Sequence, residues 1–271
     1  MPPKERDVQK INRLLEQLAS RRDAPVAIIE EEWCLEDGCR LTKKYIFRTL
    51  QAYKTYMRSE GKEIMEKIKI LFFAANPNGT TELSLTKEAR EIEEKIRAAQ
   101  FRDSLEFITK WAVRPDDLLQ SLNQHKPHIV HFSGHGSPAE EIILLDKLGN
   151  AKPVSKEALI GLFRTLKDNI RIVLLNACFS RPQAEAITAE IDCAIGMTHA
   201  IGDDAAIIFA ASFYRAIGFG RSVKDAFDQG KAAIILEGIQ EEETPELMTR
   251  QNVTAESVVL VNGRAKRPKR P

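Results

Sequence analysis

The chain has 271 residues, 43% of them hydrophobic, and its 40 basic and 39 acidic side chains leave a net charge of +1. That length suits one substantial α/β domain with a small appendage, and so balanced a charge argues against nucleic acid or an anionic membrane as the main partner. No apolar stretch reaches the roughly 18 residues needed to span a bilayer, and the charged start leads into no signal-peptide core, so a cytoplasmic protein without a membrane partner is expected.

Residues 1–65 read as a small helical module. Asp7 caps a helix carrying Ile11, Leu14, Leu15 and Leu18 on one face, and Thr42 starts another through Ile46, Leu50, Tyr53 and Met57. Ala24-Pro25 and Asp37-Gly38 are turn signals between them. A module this short holds little core alone, so it reads as an extension packed on the main domain or as an adaptor that recognises another protein.

From Ile68 the chain alternates apolar runs with amphipathic segments, the signature of βαβ units around a largely parallel sheet. Ile68–Ala75 is a buried strand stopped by Asn76-Pro77-Asn78-Gly79, and Ala89, Ile92, Ile96 and Ala99 mark the core face of the next helix. Leu105–Val113 reads as a second strand, Pro115 as the start of a helix, and His128–Ser133 as a third strand. Ile142–Leu145 and Pro153-Val154 suggest a small hairpin before a helix capped by Ser155. Ile170–Asn176 and Cys193–Met197 supply further strands. Helices then run from Asp203 or Asp204 and from Ser222, and Val258–Val261 is expected as a last strand at a sheet edge. Residues 263–271, where Arg264, Lys266, Arg267, Lys269 and Arg270 stand among prolines, read as a basic disordered tail.

Two segments carry chemistry. His131-Phe132-Ser133-Gly134-His135-Gly136 and Asn176-Ala177-Cys178-Phe179-Ser180 are each an apolar strand running into a small, turn-prone stretch, and functional groups of parallel sheets collect beyond the carboxyl ends of strands. A thiol with an unperturbed pKa of about 8.5 becomes a good nucleophile beside an imidazole or a helix N-terminus. The glycines flanking His135 allow a substrate carbonyl to come close, so the amides of Gly136 and Cys178 are candidates for an oxyanion hole. Taken singly, each has a plainer reading, Cys178 as a core thiol and His135 as a loop residue.

No metal or other cofactor is expected. Cys34 and Cys39 have no second close ligand pair, His128 and His131 face opposite sides of one strand, and no Asp or Glu accompanies the histidines. The four cysteines are too scattered for a disulfide framework. A nucleotide- or flavin-binding reading needs a glycine-rich loop after the first strand, where Asn76-Pro77-Asn78-Gly79-Thr80 offers one glycine and a proline.

With the later block Ile195-Gly196-Met197, Asp203, Ala206, Phe209-Ala210, Phe213-Tyr214, Gly220, Ser222-Val223 and Ala226, these segments resemble the CHAT domain family, caspase-like cysteine peptidase domains related to separase and the caspases. The resemblance covers about residues 66–262 and implies a caspase-like three-layer α/β sandwich. It further implies a cysteine endopeptidase, latent until activated, with His135 as general base, Cys178 as nucleophile and Gly136 helping to hold the oxyanion. Asp203 matches a recurrent family aspartate near the S1 pocket, implying a protein substrate cleaved after Arg or Lys; its plainer reading is a helix N-cap. A prokaryotic signalling or defence role, with residues 1–65 as the adaptor, rests on the resemblance. Many relatives carry long helical repeats where this chain has a short module. The alternative is a non-catalytic interaction or scaffold module of the same fold.

Overall fold

The computed structural model describes residues 67–261, residue 56, and the backbone of residues 27–34 and 40–47. The chain divides into two compact units, Met1–Glu66 and Lys67–Pro271.

In the first unit, Ala27–Cys34 (β1) and Arg40–Phe47 (β2) pair as antiparallel strands. This corrects the helix expected from Thr42, and with it the purely helical reading of the N-terminal module. The register sets Ala27 against Phe47 and Cys34 against Arg40, and Ile28, Ile29, Trp33, Tyr45, Ile46 and Phe47 are residue types that prefer extended chain. The helix read over residues 11–18 and the basic tail lie outside the described residues.

The second unit is built on Ile68–Ala75 (β3), Leu105–Lys110 (β4), Ile129–Gly134 (β5), Ile172–Asn176 (β9), Cys193–Met197 (β10) and Pro245–Thr249 (β11). They form one sheet in the order β11-β10-β9-β5-β3-β4, parallel throughout except for β11. Each inner strand is buried on both faces, so its residues alternate between two cores. Ile70, Phe72, Ile172, Leu174 and Ile195 join the core covered by Leu85–Ala98 (α1), Asp203–Gly218 (α5) and Val223–Leu236 (α6). Leu71, Phe73, Val130, Val173 and Leu175 join the opposite core, under Pro115–His125 (α2), Lys156–Leu166 (α3) and Arg181–Ile187 (α4). Each wholly buried Ile, Leu or Phe contributes about 1.5–3 kcal/mol. The expected three-layer sandwich is therefore present.

A small antiparallel sheet of Gly136–Ser137 (β6), Glu141–Leu145 (β7) and Ala151–Val154 (β8) comes after β5. The expected hairpin is thus three-stranded, its extra strand supplied by the residues after His135. Two sheet boundaries differ from expectation. β4 stops at Lys110 because the chain turns at Ala112, whose φ is 51°, and Val113 folds inward to donate its N–H to Ala74 O. The edge strand is Pro245–Thr249, not Val258–Val261. Val258 and Val261 are buried as a cap on the α6 core, and Val258 O accepts the N–H of Val223 at the start of α6.

Candidate active site

β5 and β9 are neighbours in register, with Ser133 opposite Asn176. The residues just past their ends, His135 and Cys178, therefore leave the sheet at the same edge. Their loops touch: a Cβ on Gly136 would stand 1.9 Å from the Cys178 carbonyl oxygen and 2.9 Å from its carbon. Gly134 is also hemmed, though less closely, its Cβ position lying 2.6 Å from Ala75 O. No side chain fits at either place, which explains the two glycines by close approach.

The His135 ring is half-buried, and its Nε2 lies 2.9 Å from Thr81 O and 3.2 Å from Asn76 Oδ1. A carbonyl oxygen only accepts, so Nε2 carries the hydrogen, and in the neutral ring Nδ1 keeps the lone pair. Gly136 pairs with Ile142, while the ladder bond runs from Ile143 N–H to His135 O at 2.9 Å. In such a pair the Gly136 N–H points away from the ladder.

The Cys178 loop is pinned on both sides. Ser180 donates its hydroxyl to Leu175 O at 2.8 Å and accepts from Met197 N–H at 3.0 Å, tying the end of β9 to β10. Phe179 takes a left-handed conformation at φ 56° and donates its N–H to His199 O at 3.2 Å. A non-glycine residue there is strained, and the surrounding bonds hold it.

Beneath the loops lies a buried polar cluster that the sequence pattern alone did not reveal. Glu88, on α1 and 3% exposed, accepts from Asn176 Nδ2 at 2.7 Å and from the Ser133 hydroxyl. Its Oε1 is also 3.2 Å from His131 Nε2, without the alignment of a hydrogen bond. His131 Nδ1 is 3.2 Å from the Tyr214 hydroxyl, and the two rings stack. Burial, then the Glu88 charge, push the Tyr214 phenol well above its ordinary range, so it remains a donor. His131 thus packs and pairs within the core, but a carboxylate does accompany it. The signal for Glu88 was present: it shares the apolar face of α1 with Leu85, Ala89, Ile92 and Ile96.

Asp203 opens α5, whose N-cap is Gly202, and its Oδ2 accepts the N–H of Ser84, the N-cap of α1, at 2.9 Å. It therefore caps a helix other than its own. Asp203, His135, Cys178, Glu88, Ser84 and Ile201 line one cleft of about 40 Å³, room for a few waters at most. A roomier groove of about 490 Å³ lies between the β4–α2 turn and the β7–β8 turn, among Arg114, Asp117, Gln120, Asp146 and Lys147. Its carboxylates are occupied, Asp117 by Arg114 and Asp146 by the amides of Leu148 and Asn150, and it holds neither histidine nor cysteine. His135 and Cys178 meet only at the smaller cleft.

Among the described residues no group of three or more His, Cys, Asp or Glu side chains is arranged to hold a metal ion, and no helix is long and apolar enough to cross a membrane. The two described cysteines differ sharply. Cys178 is half-buried, whereas Cys193 is wholly buried in β10, where burial first and Asp192 second push its thiol up to about 12. Since the thiolate is the reactive form, iodoacetamide at pH 8 is expected to modify Cys178 and spare Cys193 in a folded Cys34→Ser/Cys39→Ser background. Peptide mass mapping checks this, and native labelling of Cys193 would contradict it.

A sheet of this topology with a histidine and a cysteine at adjacent carboxyl ends is the frame of a caspase-like domain. The CHAT domain family model matches residues 41–247, and the chain belongs to that family. It is 30% identical over 173 residues to a protein named Roc-COR-CHAT protease from an unknown prokaryotic organism, covering 61% of this chain and 16% of that one. It is 27% identical over 178 residues to a probable protease of Gillisia limnaea, covering 62% of this chain and 32% of the relative. The chain thus spans a third or less of the length of either relative.

Proposed function

We propose that the chain is a caspase-like cysteine endopeptidase acting on a partner protein through a His135–Cys178 dyad. The observation that carries the reading is the direct apposition of the Gly136 and Cys178 backbones, beside an imidazole whose Nε2–H is committed to Thr81 O. In this scheme His135 Nδ1 takes the proton of Cys178 Sγ as the sulfur attacks the scissile carbonyl. The amides of Gly136 and Cys178 hold the resulting oxyanion. Collapse expels the amine, which takes the proton from His135, and a water deprotonated by the same ring then hydrolyses the thioester. Thr81 O serves as the orienting third group, a role that needs only an acceptor.

Asp203 at the cleft is the proposed partner of a P1 Arg or Lys. A cleft of about 40 Å³ does not admit such a side chain, which fits a latent enzyme that an activator opens, with residues 1–65 as the adaptor. The setting proposed is the cytoplasm of a prokaryote, in signalling or defence, in line with the prokaryotic source and protease name of one relative. The same closed cleft is what favours the second reading, a non-catalytic interaction module. An acyloxymethyl ketone with Arg or Lys at P1 separates the two. Wild type is expected to be labelled and Cys178→Ala not; equal labelling of both, or none of wild type with candidate activators present, would sink the peptidase reading.

A further inference from the structure

We propose that Glu88 is a positioning residue for the dyad: its carboxylate staples the ends of β5 and β9 and so fixes where His135 and Cys178 stand relative to each other. One oxygen receives the Ser133 hydroxyl and the other the Asn176 amide. Ser133 and Asn176 are direct register partners across the two strands. Each stands two residues before its dyad member, which in extended chain is about 7 Å. The staple thus spans the one strand pair from which both reactive side chains emerge.

Stability alone does not account for a carboxylate here. α1 turns Leu85, Ala89, Ile92 and Ile96 into the core, and Glu88 occupies the same face. Burying a carboxylate is costly unless it is paired, and an apolar residue would fill the space at lower cost. Two further buried polar groups, Asn176 and Ser133, are used to satisfy it, and a third, His131, stands beside it and is itself held by Tyr214. No apolar side chain would bridge the hydroxyl of one strand to the amide of the next. What the arrangement supplies is a fixed separation between two strand ends, and proximity chemistry loses rate steeply when reacting groups shift by an ångström. Its consequence for catalysis rests on the peptidase reading; the staple itself does not.

The test is hydrogen exchange on the full chain, with iodoacetamide alkylation of Cys178 measured beside it. Normalised to the amides of β3, Glu88→Ala is expected to speed exchange at least about tenfold in both 133–137 and 176–180. Ile92→Ala, a core truncation one turn along the same helix, is expected to leave those ratios unchanged. Glu88→Gln, which still accepts from Asn176 and donates to Ser133, is expected within about threefold of wild type. Should Glu88→Ala fail to fold, Ser133→Ala carries the test by loosening 133–137 alone. Exchange in Glu88→Ala, or failing that in Ser133→Ala, no different from the Ile92→Ala pattern would overturn the staple. Alkylation of Cys178 is expected to slow at least about tenfold in both Glu88→Ala and His135→Ala. Slowing in His135→Ala alone would overturn the positioning role. Faster exchange with no slowing in either variant would leave the staple standing and count against the dyad.

Discussion

Cys178→Ala is expected to lower peptide hydrolysis by the activated protein at least about 10⁴-fold, with the melting temperature nearly unchanged. Removing the member of a nucleophile–base unit that forms the covalent bond leaves only what orientation and the oxyanion amides supply. The substitution deletes one half-buried sulfur, so little stability is at stake. His135→Ala is expected to cost a comparable factor, and the double variant scarcely more than either, because the two act as a unit. Asn76→Ala should be far milder, within about tenfold, since Thr81 O still receives the Nε2 hydrogen. Single-turnover hydrolysis of a peptide identified as a substrate, with partner binding measured in parallel, checks the series. If the domain is instead an interaction module, wild type shows no turnover and all four variants bind the partner alike. A purely additive loss in the double variant would mean that the two side chains do not act in one step.

The parallel strands were legible because they are buried on both faces, so Ile68–Ala75, with Lys69 its one polar member, and Ile172–Leu175 appear as apolar runs ended by turn-prone residues. The same criterion misled at the edge. Val258-Val259-Leu260-Val261 is the more apolar segment, but it serves as a cap on α6, while the real edge strand, Pro-Glu-Leu-Met-Thr, is half polar because it is covered incompletely. An apolar run reports burial, and burial does not require a ladder. The helix expected from Thr42 failed for a related reason: Ile46, Leu50, Tyr53 and Met57 have helical spacing, but Arg40–Phe47 is rich in residues suited to a strand and finds an antiparallel partner in Ala27–Cys34.

The candidate site divides in the same way. His135, Cys178 and the close-approach glycines are side-chain facts that a linear motif records. Thr81 enters through its carbonyl, which any residue possesses, so no sequence pattern marks it. Glu88 lies between these cases. A carboxylate at a core-facing position of an amphipathic helix is a visible anomaly, but its partners sit on two strands far along the chain. The sequence therefore raises the question of what Glu88 meets, and only the register of β5 and β9 answers it.

Gly136→Ala is expected to be the most damaging single methyl in the described unit, destabilising by about 1–3 kcal/mol or more and abolishing the reactivity of the site. Gly136 has no positive φ, so backbone strain is not the cause. The obstacle is contact: the new Cβ would meet Cys178 O at 1.9 Å, with the Cys178 carbon at 2.9 Å and nitrogen at 3.2 Å. These are backbone atoms, and the loop that holds them is fixed by Ser180, Phe179 and Asn176 on either side. Relief therefore has to come from the Gly136 strand moving away, which breaks the β6–β7 pairing or draws His135 from Thr81. Either movement separates the two halves of the site. Gly161→Ala on the exposed face of α3, where nothing lies within 4 Å of the new Cβ, is the matched control and is expected to stabilise by roughly 0.5–1 kcal/mol. The two melting temperatures are thus expected to move in opposite directions, the glycine at 136 downward by roughly 2–12 °C. Cys178 alkylation by iodoacetamide is expected to change only in Gly136→Ala. A Gly136→Ala protein with wild-type melting and wild-type Cys178 reactivity would mean that the two loops do not touch in solution, and the case for a shared site would go with them.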